Sequence, residues 1–163
     1  IDTPAARLIM KGKARSLLLE EVEELFATST FVVDACRNVV RGGNMVVSLA
    51  TRPVLFALAR ALAEAWPGDV SREKLLSRAF GAKHADESHR ARLRVEIGRL
   101  RAELRGLADI SATSGGFKLQ PRRRSDAVVL APLVDRSTLG TATTCTRVGC
   151  DGHLRLNPFV AGE

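Results

Sequence analysis

Tyrosine is absent from this 163-residue chain, and only 4% of its residues are aromatic. A single-strand nucleic-acid binder that stacks bases needs aromatic platforms, so that class is disfavoured. Cysteine is sparse: three residues, an odd number without secretory context, favour thiols in a reducing cytoplasm over a disulfide framework. No apolar run approaches the roughly 20 residues of a membrane span, so a membrane is not an expected partner. Ile1 to Arg15 carry scattered charges rather than the apolar centre of a secretory signal. There is no initiator Met, so the chain reads as a trimmed or excised piece of a longer one. Also missing are a Ser, His and Asp set, paired carboxylates and a phosphate-cradling glycine loop at usable spacing. The expectation is a protein that is not an enzyme and takes no cofactor.

What is present suits a soluble globular chain: 45% hydrophobic and 26% charged residues, with a length fitting one domain and some residues to spare. The net charge of +7 is unevenly spread. Residues 1–87 and 125–163 are each near neutral, whereas residues 88–124 hold 10 basic and 3 acidic side chains. A charge run is often only a solvated helix face. Concentration in one segment that reads as helix plus hairpin instead favours a polyanion partner.

Apolar spacing predicts a helix from about Pro4 to Phe26, with Leu18, Val22 and Leu25 on its stripe. The basic group Lys11, Lys13, Arg15 precedes the acidic group Glu20, Glu21, Glu23, Glu24, opposite to what the helix dipole favours. Such a helix would lean on a partner surface, as a docking or dimer element; a plain amphipathic helix on its own domain is the alternative. Residues 31–36 and 45–49, separated by Arg41 to Asn44, read as a hairpin or small sheet. Thr51 and Pro53 open a helix that stops at Pro67 and Gly68. Ser71 opens another, ended by Gly81. A long helix is expected from Ser88 to Leu104 with a core stripe of Leu93, Ile97, Leu100 and Leu104. Gly115-Gly116 then turns a hairpin over 109–119. Beyond Pro121 come the basic run Arg122 to Arg124, a strand-like 127–131, and a Thr, Gly and Pro-rich stretch from 132 that shows no period. These boundaries give an amino-terminal helix over 1–28, a domain over 29–120, and a basic run with an extended or disordered tail over 121–163.

Four pieces of the sequence resemble the DNA-binding effector domain of OmpR/PhoB-type response regulators. Pro53 to Leu62 is similar to that family's first helix, and Gly68 to Leu76 to the entry of its second. Val95 to Leu104 is similar to its recognition helix, and Gly116 to Leu119 to the end of its wing. The resemblance covers about 90 of the 163 residues. It implies an α+β winged helix-turn-helix: a three-helix core, a small amino-terminal sheet and a carboxy-terminal hairpin wing, here with an extra amino-terminal helix. It also implies sequence-specific binding of double-stranded DNA in bacterial transcription regulation, a homodimer, RNA polymerase as a further partner, and a cytoplasmic, nucleoid-associated location. No phospho-acceptor receiver domain precedes the match, so regulation by aspartyl phosphorylation does not carry over.

Winding Ser88 to Arg105 at 100° per residue sorts the long helix into faces. Opposite the core lie Ala91, Val95, Gly98 and Ala102, small enough to let a helix backbone sit deep in a major groove. On one flank Arg90, Arg94, Arg101 and Arg105 form an arginine-only row. On the other, Arg92 and Arg99 mix with Glu96 and Glu103, where surface pairs Arg92 with Glu96 and Arg99 with Glu103 are the alternative to DNA contact. The expected contact set is Arg92, Arg94, Val95, Arg99, Arg101, Arg105, Thr113, Lys118, Arg122 and Arg123. Arg99 and Arg101 match the family's recognition pattern. Cys145, Cys150 and His153 are weak metal candidates; their spacing is not that of a common knuckle, and a fourth ligand is lacking. No metal is expected. The rival to DNA binding is a winged-helix module for protein–protein interaction.

Overall fold

The computed structural model describes residues 3–28, 30–84 and 86–134. The chain divides into a compact unit, Ile1–Leu133, and a second unit, Val134–Glu163, of which only Val134 is among the described residues. The candidate metal residues Cys145, Cys150 and His153 therefore lie outside the described residues, as does the expected tail beyond 134.

The amino-terminal segment corrects the expected long helix. It forms β1 (Ala6–Met10) and β2 (Lys13–Leu17), joined by a two-residue turn, and then a nine-residue helix α1 (Leu19–Ala27). Lys11 and Gly12 both have positive φ, 51° and 79°, as a tight hairpin of this twist requires. Lys11 thus stands in a turn and Lys13 and Arg15 on a strand, which explains their unfavourable order for a helix. The Leu18 N–H donates to the Glu21 carboxylate, and Arg15 pairs with the same group at 2.9 Å. Both contacts hold the Glu21 carboxyl below its ordinary range, the backbone hydrogen bond most.

Three strands follow: β3 (Phe31–Asp34), β4 (Val39–Gly42) and β5 (Met45–Ser48). The middle one was not expected. Then come α2 (Pro53–Ala65), β6 (Asp69–Ser71), α3 (Arg72–Phe80), α4 (Glu87–Glu103), β7 (Ala108–Ala112), β8 (Gly116–Pro121) and β9 (Ala127–Ala131). Pro53 does sit at the first turn of α2, but Thr51 gives no cap; the flanking residue is Arg52. The Ser71 hydroxyl caps α3 by accepting from the Lys74 N–H at 3.2 Å, and Gly81 closes it with φ 67°.

Two sheets result. The larger has six strands in the order β2-β1-β9-β3-β4-β5, antiparallel except for the parallel pair β3·β9. The smaller has the order β6-β8-β7. In β9 all five residues are buried, because alternate side chains enter two different cores. Val128 and Leu130 meet Leu8, Val32 and the α1 side chains Val22, Leu25 and Phe26. Ala127 and Val129 meet Phe31, Val33 and the buried stripe of α2, Leu55, Leu58 and Leu62. One face of the large sheet thus carries α1, and the other carries α2, with α3, α4 and the small sheet beyond it. Val22 and Leu25, expected to serve self-association, are spent on the chain's own sheet.

The winged helix-turn-helix expectation is corrected accordingly. Among the described residues the chain is α+β with four helices and nine strands, dominated by a mixed six-stranded sheet, not a three-helix core with a small sheet and a wing. The cause is non-local. The hairpin of β1 and β2 and the distant β9 join β3 to β5, so the first, middle and last described segments build one sheet.

Gly116 shows how closely the small sheet is packed. A Cβ there would overlap the Val70 carbonyl on the paired strand β6, which is backbone and has no rotamer with which to yield. Gly116→Ala is expected to cost about 1–3 kcal/mol, the usual range for overpacking. Urea denaturation will read this as a lower midpoint at unchanged slope.

Candidate nucleic-acid interface

Helix α4 is set by its apolar stripe. Leu93, Ile97 and Leu100, with Leu104 just past its end, are at most 2% exposed and pack toward α2 and α3. Its start is one residue earlier than expected. Asp86 is the N-cap: its carboxylate accepts from the His89 N–H at 2.8 Å and meets the His89 ring nitrogen Nδ1 at 2.7 Å. These two bonds, the backbone one first, hold the Asp86 carboxyl below its ordinary range. The opposite face is open. Ala91, Val95, Gly98 and Ala102 are all exposed, and no atom lies within 4 Å of where a Gly98 Cβ would sit.

The arginines around that face are less free than the sequence suggests. Arg94 and Arg90 both approach Glu87, at 3.7 and 3.9 Å, so the arginine row does carry an acidic neighbour. Arg101 donates from Nε to the Ile110 carbonyl at 2.8 Å, tying α4 to β7. Arg105 stands exposed, with no acidic partner among the described residues. On the mixed flank the expected pairings are replaced. Arg99 pairs with Glu96 at 2.9 Å, Glu103 is taken by Arg52 from the start of α2, and Arg92 lies over the Phe80 ring at 4.5 Å. The Glu87 pairs with Arg90 and Arg94 are exposed on both sides and stabilise by about 0–1 kcal/mol, so a phosphate can displace that carboxylate at small cost.

The remaining expected contacts lie on or beside the small sheet. Thr113 shapes the β7–β8 turn: its hydroxyl donates to Asp69 at 2.6 Å and accepts from the Gly116 N–H at 2.9 Å. Thr113 is thus engaged within the fold. Lys118 is half-buried on the central strand β8, between Asp69 and Ser111. Arg122 pairs with Asp109 at 3.2 Å, while Arg123 packs its guanidinium beside Gly43. A groove of 370 Å³ runs between α4 and β7, with Gly98, Arg101, Arg105 and Arg122 along it. A second, of 480 Å³, lies on the other flank of α4 against the first turn of α2, lined by Pro53, Val54, Leu55, Arg99 and Ala102.

The structure therefore gathers Arg94, Val95, Arg101, Arg105 and Arg122 about the outer face and the α4–β7 groove. Arg99 lies on the opposite flank of α4 and Arg92 against α3. Absent from the expected contact set are Trp66, which adjoins the Arg122 to Arg124 run, and Lys11, which lies over its ring. Among the described residues no group of three or more His, Cys, Asp and Glu is placed to hold a metal ion. No helix among them is long and apolar enough to cross a membrane. No protein-family model matches this chain, and no curated protein matches it either.

Proposed function

We propose that the chain binds double-stranded DNA through the outer face of α4, in the service of bacterial transcription regulation. The observation that carries this reading is a strip of small exposed residues, Ala91, Val95, Gly98 and Ala102, bordered by Arg94, Arg101 and Arg105. A helix with a small-residue face can sit deep in a major groove about 12 Å wide, with Val95 against a thymine methyl. Arg94 and Arg105 beside it reach phosphates or guanine edges. Arg101 contributes mainly by fixing α4 to β7. The likeness of Val95 to Leu104 to a recognition helix adds support. From that resemblance alone come a homodimer on repeated half-sites, RNA polymerase as a further partner, and a nucleoid location.

The apolar groove between α2 and α4 favours a second reading, a protein partner that covers Pro53 and Val54. The ionic strength dependence of duplex binding separates the two. About four phosphates engaged at once give a slope of roughly −3.6 for log affinity against log salt. Fluorescence anisotropy on duplexes enriched from a random pool measures it. A slope near zero, or no enrichment, would favour the protein partner.

A further inference from the structure

The tip of the β1–β2 hairpin reaches the end of α2. Lys11 holds its ammonium 5.5 Å from the centre of the Trp66 ring, and Trp66 lines a shallow depression of 730 Å³ with Gln120 and the run Arg122 to Arg124. Two acidic side chains also line it: Asp109, already paired with Arg122, and Asp126. Against those two stand three arginines, with Lys11 adjoining through the Trp66 ring. Asp109 and Arg122 border this depression and the α4–β7 groove alike, so one basic strip runs from the outer face of α4 to the hairpin tip. Arg90, Arg94 and Arg99 on α4 each face a carboxylate, whereas Lys11 and Arg124, like Arg105, have no acidic partner among the described residues.

We propose that Lys11 and Arg124 form a second phosphate-binding segment that holds the sugar-phosphate backbone flanking the stretch read by α4. This inference rests on the DNA reading above. A cation–π contact fixes the Lys11 side chain while leaving its ammonium protons free for phosphate oxygens. The two-residue turn keeps the tip short, so little chain entropy is lost on binding. Contacts of this kind position the protein and carry no sequence information.

The test is hydroxyl-radical footprinting of a duplex enriched by the full chain, compared with the Lys11→Ala/Arg124→Ala variant. Both side chains are exposed, and an unchanged thermal midpoint will show that the variant folds. Loss of two phosphate contacts lowers the salt slope by about 1.8 and affinity by about 30-fold at 0.15 M salt. Protection should vanish on one flank and persist over the core. Trimming that flank from the duplex should weaken the parent chain equally and leave the variant unaffected. An unchanged footprint and slope in the variant would overturn the inference and leave the α4 reading standing. A parent chain that protects no duplex would overturn both.

Discussion

A chain ending at Asp126 is expected to show no cooperative thermal transition. Such a chain lacks β9, the only strand joining β1 to β3 in the six-stranded sheet. Burying a Val or Leu side chain contributes about 1.5–3 kcal/mol. Val128, Val129 and Leu130, each at most 2% exposed, together supply about 5–9 kcal/mol. Typical domain stability is only about 5–15 kcal/mol, so the loss is comparable to the whole. The single change Val129→Asp makes the same point without truncation, because it buries a carboxylate amid Phe31, Val33 and the α2 stripe. Its expected cost is above about 4 kcal/mol, at the extreme of single substitutions. A chain ending after Val134 keeps its transition. Circular dichroism melts of the three chains decide the matter: a midpoint within a few degrees of the parent for the Asp126 truncation would refute it.

Val95→Glu is expected to remove at least 90% of duplex affinity while leaving stability within about 0.5 kcal/mol of the parent. Val95 is 53% exposed at the centre of the outer face, so no core contact is lost. In a groove, a glutamate there meets the negative potential of two phosphate rows and loses its hydration without a partner. A tenfold loss corresponds to about 1.4 kcal/mol, modest for one unpaired charge at an interface. Anisotropy titrations with the enriched duplex read the affinity, and urea melts read the stability. Equal affinity in parent and variant would move the contact away from this face of α4.

Legibility in the sequence followed the range of the interactions. Helices α2, α3 and α4 and the β7–β8 hairpin are written in local signals: Pro53, Ser71, Gly81, and the pair Gly115-Gly116 with alternating neighbours. The expected helix holds only from Leu19; residues 4–18 fold as a hairpin, although Leu18, Val22 and Leu25 fit one helical stripe. The alternation of buried and lighter positions from Ala6 to Met10, and Gly12 in the turn, point instead to a hairpin. Strand β9 was visible as an apolar run, but its place between β1 and β3 depends on partners about 95 and 120 residues away. Nothing local encodes that pairing. At the candidate interface the small-residue face was legible because it follows from period alone. The state of the arginines was not. Glu87 lies one residue before the expected helix start, and placing it inside α4 gives Arg90 and Arg94 a carboxylate. Arg52, which takes Glu103, comes from a different helix start.

The place of β9 also sets an order of events during synthesis. The β1–β2 hairpin and α1 leave the ribosome before the strand that shields Leu8 and Val32, which emerges more than 90 residues later. Until then the apolar side of β1 and the open edge of β3 face solvent, each a template for stray strand pairing. Helices α2 to α4, with shorter-range contacts, can form while translation continues; the large sheet closes only once residue 131 is free. Contacts this distant in sequence fold slowly. The nascent chain therefore passes through a period in which chaperone occupancy, rather than the stability of the finished protein, governs its yield.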